Sequence, residues 1–213
     1  MSTTNKGFLL VSMEPPSAME EEFNEWYDSE HLPERAGIPG FETARRFVCV
    51  AGWPRYLALY DLQVATVLDQ PGYLAVSGDR FSPWSKRVLN RVRGQYRASG
   101  DQIYPGHAIT GHCARMLLLR FHRAPATAEA LIVSSTRAAF EGRPGVTQVR
   151  VCRHSDGDAF DYLALIEANT PFAPDAVDAR AFGEAARWLD LINEYARYWT
   201  RGHLPGVYAA AKA

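Results

Sequence analysis

The chain has 213 residues, of which 47% are hydrophobic and 22% charged, with a net charge of −1 at neutral pH. This apolar content is enough for a folded core and excludes a chain that is disordered throughout. The near-neutral charge excludes a strongly basic, phosphate-tracking surface, so we expect no nucleic-acid partner. The length fits one large domain or two of about 100 residues each.

The cysteines and the hydropathy pattern exclude further classes of protein. Cys49, Cys113 and Cys152 are too few and too widely spaced for a disulfide framework or a cysteine-based zinc site. The sequence has no apolar run of about 18 residues, the length that a membrane-spanning helix needs. Its N-terminal segment is short and polar and does not resemble a signal peptide. We therefore expect a cytoplasmic protein without a membrane partner.

Hydrophobic periodicity and turn residues predict a first half in the order β-α-β-β-α-β. Strands are predicted at 8–13, 41–50, 55–62 and 95–103, and further helical stretches at 66–75 and 83–92. The first helix is predicted from the apolar spacing of Met19, Phe23, Trp26 and Tyr27. It should end near position 32, because Pro33 disfavours helical geometry in the residue before it.

The same order recurs in the second half. Strands are predicted at 115–122, 146–153, 161–168 and 206–211, and helices at 127–140 and 182–200. Short matches recur in order at separations of 105, 106 and 115 residues: Pro39-Gly40 with Pro144-Gly145, Tyr56-Leu57-Ala58-Leu59 with Tyr162-Leu163-Ala164-Leu165, and Trp84-Ser85-Lys86 with Trp199-Thr200-Arg201. These matches predict an internal duplication, with one repeat at 1–106 and a second, degenerate repeat at 107–213.

A β-α-β-β-α-β unit is the ferredoxin-like arrangement, with both helices on one face of an antiparallel sheet. The predicted strands are apolar on both faces, so the second face also needs cover. Two units placed face to face provide it and enclose space for side chains or one small ligand. We therefore predict an α+β fold of two tandem ferredoxin-like units that form an α/β barrel with antiparallel sheets. The chain would act as a monomer, through this intrachain barrel, or as a homodimer.

A motif in the first half carries a family resemblance. Residues 22–35 read EFNEWYDSEHLPER, followed by Ile38-Pro39-Gly40-Phe41 and Arg45-Arg46-Phe47. This pattern resembles the dimeric α/β-barrel superfamily, and most closely its EthD-like branch. The superfamily includes cofactor-independent monooxygenases, muconolactone-type isomerases, polyketide cyclases, EthD-type proteins of degradative pathways and haem enzymes, so the fold alone does not settle the chemistry. The resemblance implies that the histidine at position 31 faces the pocket.

His31 and Tyr27 are the candidate catalytic residues. His31 is predicted in the last helical turn, where the helix dipole and the nearby Asp28 and Glu30 favour the imidazolium form. Tyr27 lies four residues earlier on the same helical face. A histidine that titrates near neutral pH beside a phenol suits proton transfer. The alternative is that His31 only caps the helix end by binding a free carbonyl.

The second repeat lacks the counterparts of Tyr27 and His31 and of the nearby Arg35. With a shift of 105, Tyr27, His31 and Arg35 correspond to Ile132, Thr136 and Phe140. We therefore predict a single active pocket per chain, lined mainly by the first half.

Further residues are candidates for substrate binding: Trp26, Arg45, Arg46, Tyr60, Trp84 and His112. Arg45 and Arg46 are neighbours on a predicted strand, so one must face each side of the sheet. The inward one would anchor a carboxylate or an enolate, unless it pairs with Glu42 or Asp61. The aromatic residues would line the pocket or pack in the core.

The function predicted is a cofactor-independent enzyme that acts by general acid/base chemistry on a small hydrophobic, aromatic or polyketide-like oxygenated compound. Isomerase, cyclase, dehydratase and lyase steps all fit this chemistry. We expect no metal, because no histidines have metal-ligand spacing. One alternative is a non-catalytic binding or accessory protein of a degradative or biosynthetic pathway. A second is a haem-dependent or cofactor-free oxygenase, in which His112 or His203 would be the haem ligand.

Overall fold

The computed structural model describes residues 4–173 and 177–198. Eight strands run through these residues: β1 (Gly7–Glu14), β2 (Phe41–Ala51), β3 (Tyr56–Leu62), β4 (Arg93–Tyr104), β5 (Arg115–Ala124), β6 (Val146–Asp156), β7 (Ala159–Ala168) and β8 (Leu189–Arg197). All neighbouring strands are antiparallel, and they close into a barrel in the order β1-β3-β2-β8-β5-β7-β6-β4. The predicted antiparallel barrel is thereby confirmed.

The helices pack outside the barrel and are concentrated in the first half: α1 (Glu20–Trp26), α2 (Leu32–Ala36), α3 (Pro71–Leu74), α4 (Pro83–Leu89) and α5 (Glu129–Phe140). Among the described residues, the second half has as helical elements only α5 and two 3-10 segments, at Ala126–Ala128 and Ala179–Trp188. None of the described helices has the length and apolarity needed to span a membrane.

The predicted end of the first helix near position 32 is wrong. A π-helical turn at Tyr27–His31 joins α1 directly to α2, and Leu32 keeps helical angles although it precedes a proline. Pro33 directly follows the π-helical turn, so its missing N–H falls where the regular α-helical hydrogen-bond pattern is already interrupted. His31 is therefore in the middle of a continuous helical segment and has no free helix end to cap.

The helix predicted at 182–200 is also wrong. The 3-10 segment is interrupted at Gly183, which has a φ of 53°, and β8 follows it. Residues Leu191, Asn193 and Tyr195 alternate along β8, which fills the gap between β2 and β5. Pairing on both edges outweighs the helical spacing of apolar residues here. The strand predicted at 206–211 and the match at Trp199-Thr200-Arg201 lie outside the described residues.

The apolar core has three parts. One fills the barrel interior with side chains such as Phe8, Leu10 and Leu165. The other two lie on the outer faces, between the sheet and the helical segments of each half. Alternate residues of β1 divide between them, since Phe8 and Leu10 face inward whereas Leu9 and Met13 face the first-half helices.

A buried ion-pair network lies between the two halves. The Arg150 guanidinium donates to Asp61 on β3 at 2.6 Å and to Glu167 on β7 at 3.0 Å. Thr43 and the Thr110 backbone N–H also donate to Asp61. These contacts fix the segment that links the halves, because Thr110 belongs to it and is buried.

Candidate functional site

A pocket of about 380 Å³ lies outside the barrel, between the sheet of the first half and its helices. Leu9, Val11 and Met13 of β1 form its floor, and the exposed Gln95 and Arg97 of β4 lie at its rim. Its walls comprise His31, Arg35, Tyr60, Tyr73, Ser77, Gly78, Phe81 and Leu89. Pockets of this size hold small organic molecules. The expected ligand space therefore lies beside the barrel, since side chains fill the interior.

The His31 ring is held on several sides by other rings. It stacks on Trp26 with ring centroids 4.4 Å apart and meets the edge of Tyr27 at 5.2 Å. Phe81 approaches it from the segment that follows α3, at 6.3 Å. The ring is 9% exposed, and its Nδ1 atom is buried without a hydrogen-bond partner among the described residues. The π-helical turn thus places a fixed imidazole at the pocket.

The protonation state of His31 differs from the predicted one. Burial, reinforced by the positive charges of Arg35 and Arg46, lowers the pKa of His31 to about 3. The expectation that a helix end and nearby carboxylates favour imidazolium is wrong, because the helix continues and Glu30 accepts hydrogen bonds from Ser82 and Ser85 instead. At neutral pH His31 is a neutral imidazole that can accept a proton.

Arg35 lines the same pocket and was not among the residues predicted from the sequence. Its side chain is 2% exposed, and its Nη2 donates to the Val76 carbonyl at 2.6 Å. Its Nη1 has no hydrogen-bond partner among the described residues. The spacing of four residues from His31 on one helix was a signal that could have identified it. A buried guanidinium with a free N–H is suited to binding an oxygen anion.

Tyr60 on β3 contributes a third unsatisfied polar atom. Its side chain is buried, and its hydroxyl lies near the Tyr27 hydroxyl but makes no hydrogen bond of good geometry with the described residues. Burial raises the pKa of Tyr60 well above its usual value, so the phenol is neutral and able to donate a hydrogen bond. His31, Arg35 and Tyr60 thus line one pocket, and each has a buried polar atom without a good hydrogen bond to the described residues.

Tyr27 and Trp26 lie behind His31 and are not part of the pocket lining. Trp26 is fully buried and donates through Nε1 to Ser85 at 3.0 Å. Burial raises the pKa of Tyr27 to about 12, and Arg46 lies 4.3 Å from the centre of its ring. These two aromatic residues position the histidine, and the contact between Tyr27 and His31 is an edge-to-face contact of their rings.

Arg45 and Arg46 do not line the pocket. Arg46 faces the helices, where it donates to Asp28 at 2.9 Å and to Asn24 at 2.7 Å. The ion pair predicted with Glu42 or Asp61 is therefore wrong, because those carboxylates pair with Lys6 and Arg150. Arg45 is the neighbour on β2 and its Nε atom is buried without a hydrogen-bond partner among the described residues.

Trp84 and His112 also lie outside the pocket lining. Trp84 packs against the apolar cluster of the first half. His112 is exposed, and its Nδ1 lies 2.9 Å from Arg197. His203 is outside the described residues. Of these two candidate haem ligands, His112 does not line the pocket and nothing is described for His203.

A second cluster of polar residues lies away from the pocket. Nitrogen and oxygen atoms of His122, Asp156 and Asp161 lie within 4.8 Å of one another. Asp161 already accepts hydrogen bonds from His122, the Arg123 backbone and Tyr96. We interpret this cluster as a structural hydrogen-bond network.

Comparisons with known proteins identify the fold. No known family model matches the chain, and no curated protein matches its sequence. Three similar solved structures are an anthrone oxidase-like protein (13% identity, TM-score 0.61, 94% of each chain covered), a candidate monooxygenase from Lactobacillus acidophilus NCFM (12%, 0.54, 91% of this chain and 94% of the other) and a candidate chlorite dismutase (11%, 0.55, 92% and 96%). These likenesses show that the chain shares the fold of these structures, a closed barrel of antiparallel strands with helices outside it.

Proposed function

We propose that this chain is a cofactor-independent enzyme that removes a proton from a carbon next to a carbonyl in a small, hydrophobic, aromatic or polyketide-like compound. The observation that carries the proposal is the set of unsatisfied buried polar atoms on His31, Arg35 and Tyr60 in one pocket. Buried polar groups are normally satisfied. A substrate carbonyl or enolate oxygen supplies the acceptor that Arg35 and Tyr60 lack.

The proposed roles follow from the charges of these groups. Neutral His31 takes the proton from carbon and becomes imidazolium, while the electron pair moves to the substrate oxygen and forms an enolate. The Arg35 guanidinium and the Tyr60 hydroxyl stabilise that oxygen. The low pKa of free His31 makes it a weak base, so transfer depends on the enolate forming beside the imidazolium and pairing with it. Return of the proton to another substrate atom completes an isomerisation.

We also propose that the barrel consists of two tandem ferredoxin-like units, residues 1–106 and 107–213, from the EthD-like branch. The strand order supports the duplication, since β4-β1-β3-β2 in the first half parallels β8-β5-β7-β6 in the second. The catalytic unit would be the first. In the second half, fully buried Thr136 and Phe140 lie where the shifted alignment places His31 and Arg35.

Anthrone, a flat aromatic ketone with an acidic C–H, is the test substrate. Under nitrogen in deuterated buffer, the wild-type protein should speed deuterium uptake at the acidic carbon, measured by NMR. His31→Phe keeps a flat ring but lacks the base, and it should reduce the rate by at least about 100-fold, in the range of a lost general base. His107→Phe changes an exposed histidine outside the pocket and should leave the rate unchanged. Exchange that survives in His31→Phe would reject the assignment.

Oxygenation is the second candidate, because the fold neighbours are described as anthrone oxidase-like and as a candidate monooxygenase. The carbanion formed by His31 would pass electrons to O2. For anthrone the overall balance is one anthrone and one O2 giving one anthraquinone and one water. An oxygen electrode separates the cases, since equimolar oxygen uptake supports oxygenation, whereas exchange without uptake supports proton transfer alone.

The remaining alternatives make different predictions. A non-catalytic binding protein binds anthrone saturably without exchange or oxygen uptake. A haem-dependent oxygenase shows a Soret band in the absorption spectrum of the purified protein.

A further inference from the structure

The charges in the pocket lining are unbalanced. Two arginines, Arg35 and Arg97, line the pocket, and no aspartate or glutamate is among the lining residues. The lining histidine, His31, is neutral near pH 7 because burial and neighbouring positive charges lower its pKa to about 3. The described lining therefore carries an excess of positive charge.

Arg35 has only a weak carboxylate partner among the described residues. Its ion-pair partner is Glu34, at 3.7 Å from Nη1, which is too long for a hydrogen bond. The Glu34 side chain is 31% exposed and does not line the pocket. The unsatisfied Nη1 belongs to a guanidinium that packs over Tyr73 and Phe81, at 5.0 and 5.8 Å from their ring centres.

Arg97 lies on the opposite side of the pocket, on β4. Its guanidinium donates to the Ser99 and Tyr73 hydroxyls, both at 3.3 Å. These are long contacts with neutral groups, and the described residues give Arg97 no ion pair within 4.0 Å. The side chain is exposed at the pocket rim, where it can meet an incoming anion.

The pocket walls are mainly aromatic and aliphatic. Aromatic rings from His31, Tyr60, Tyr73 and Phe81 line it, and aliphatic residues of β1 form the floor. Such walls favour a flat ring system. The charged groups among the described lining residues are the guanidinium groups of Arg35 and Arg97, and the other polar groups there are neutral.

We propose that the pocket takes its ligand as an organic anion, an aromatic ring system with one ionised oxygen group, which Arg35 binds and Arg97 attracts. The proposal rests on the pocket of the proposed function and narrows its substrate class to aromatic carboxylates and acidic phenols or enols. An ionised ligand supplies the charge that the two arginines lack, and the ring fills the apolar volume. Guanidinium groups bind carboxylate and enolate oxygens with two parallel hydrogen bonds where geometry allows.

A matched pair of probes tests this inference without turnover. Calorimetric titration at about pH 7.5 compares 2-naphthoate with naphthalene-2-carboxamide, which has nearly the same shape but no charge. We expect 2-naphthoate to bind at least about tenfold more tightly, a typical difference for one charge-assisted contact. A third titration with ionised 2,4-dinitro-1-naphthol shows whether acidic phenols bind like the carboxylate.

Three variants show which arginine causes the preference for the carboxylate. Arg35→Gln should abolish it, and circular dichroism checks that this variant is folded. Arg97→Gln changes an exposed residue and should reduce the preference several-fold, which keeps the test valid if Arg35→Gln does not fold. Arg137→Gln changes an exposed arginine on α5, outside the pocket, and should have no effect.

Equal affinity for the carboxylate and the amide would overturn the proposal, as would absence of binding by all three probes or an undiminished preference in the Arg97 variant. The result is separable from that for the proposed function. Anion preference without deuterium exchange supports the ligand class and rejects the catalytic role of His31. Deuterium exchange without anion preference supports the catalytic role of His31 and rejects the proposed ligand class.

Discussion

The buried histidine makes the stability of this protein depend on pH in a specific way. His31 has a pKa of about 6.5 in an unfolded chain, and burial lowers it to about 3 in the folded protein. Between these values the unfolded chain binds a proton that the folded protein does not bind. The contribution of His31 to stability is therefore fully present above about pH 6.5 and is lost as the pH falls towards 3.

The magnitude follows from these two pKa values. On going from about pH 7 to about pH 4.5, protonation of His31 in the unfolded chain lowers the free energy of unfolding by roughly 2–3 kcal/mol. Because about pH 4.5 is still above the folded pKa, this figure changes little if that pKa is one unit higher. It is a large fraction of the stability of an ordinary domain.

Urea denaturation at the two pH values measures the effect. The carboxylates that also titrate in this range are common to all variants, so the loss is compared between wild type and His31→Phe. Wild type should lose roughly 2–3 kcal/mol more than His31→Phe, and His107→Phe, which changes an exposed histidine, should behave like wild type. Equal losses in wild type and His31→Phe would refute a neutral, buried His31.

Two further substitutions test the fold, and one titration tests the number of sites. Asp61→Asn leaves the fully buried Arg150 charge short of a partner and should lower the free energy of unfolding in urea by roughly 3 kcal/mol, whereas Asp158→Asn, at a 92% exposed side chain, should have no measurable effect. Gly94→Ala should cost roughly 1–3 kcal/mol in the same assay, because Gly94 has a φ of 55° and an added Cβ would overlap the Trp53 ring; Trp53→Ala in that background should recover part of the loss. Titration with 2-naphthoate should give one site per chain, and two equivalent sites would contradict the single pocket.

Much of the fold follows from local patterns. Seven of the strands could be placed because apolar runs and turn residues such as Pro39-Gly40 and Pro144-Gly145 mark their ends. The segment at 182–200 could not, because the apolar spacing of Phe182, Ala185 and Trp188 favours a helix and only pairing with β2 and β5 makes residues 189–197 a strand. Such long-range pairing leaves no mark within a local window of sequence.

The candidate site could also be predicted only in part from the sequence. His31 and Tyr60 were named from the sequence and line the pocket, whereas Arg35 was missed because its burial depends on packing against Tyr73 and Phe81 from elsewhere in the chain. The pKa of His31 was misjudged for a related reason. Local carboxylates suggested imidazolium, but burial and the charges of Arg35 and Arg46 dominate in the folded protein.

The π-helical turn at Tyr27–His31 determines which residues of the first helical segment reach the pocket. It continues the helix past the position where Pro33 was expected to end it, and so His31 and Arg35 both reach the pocket from one helical segment. Single π-helical turns inside α-helices are frequent at functional sites.

A crystal structure with bound 2-naphthoate tests most directly whether function lies in this pocket. We predict the ligand between β1 and the helices of the first half, with its carboxylate within hydrogen-bond distance of Arg35 Nη1 and its ring beside His31. A ligand bound in the second half or elsewhere on the surface, with the pocket empty at saturating concentration, would contradict the assignment of this pocket as the functional site.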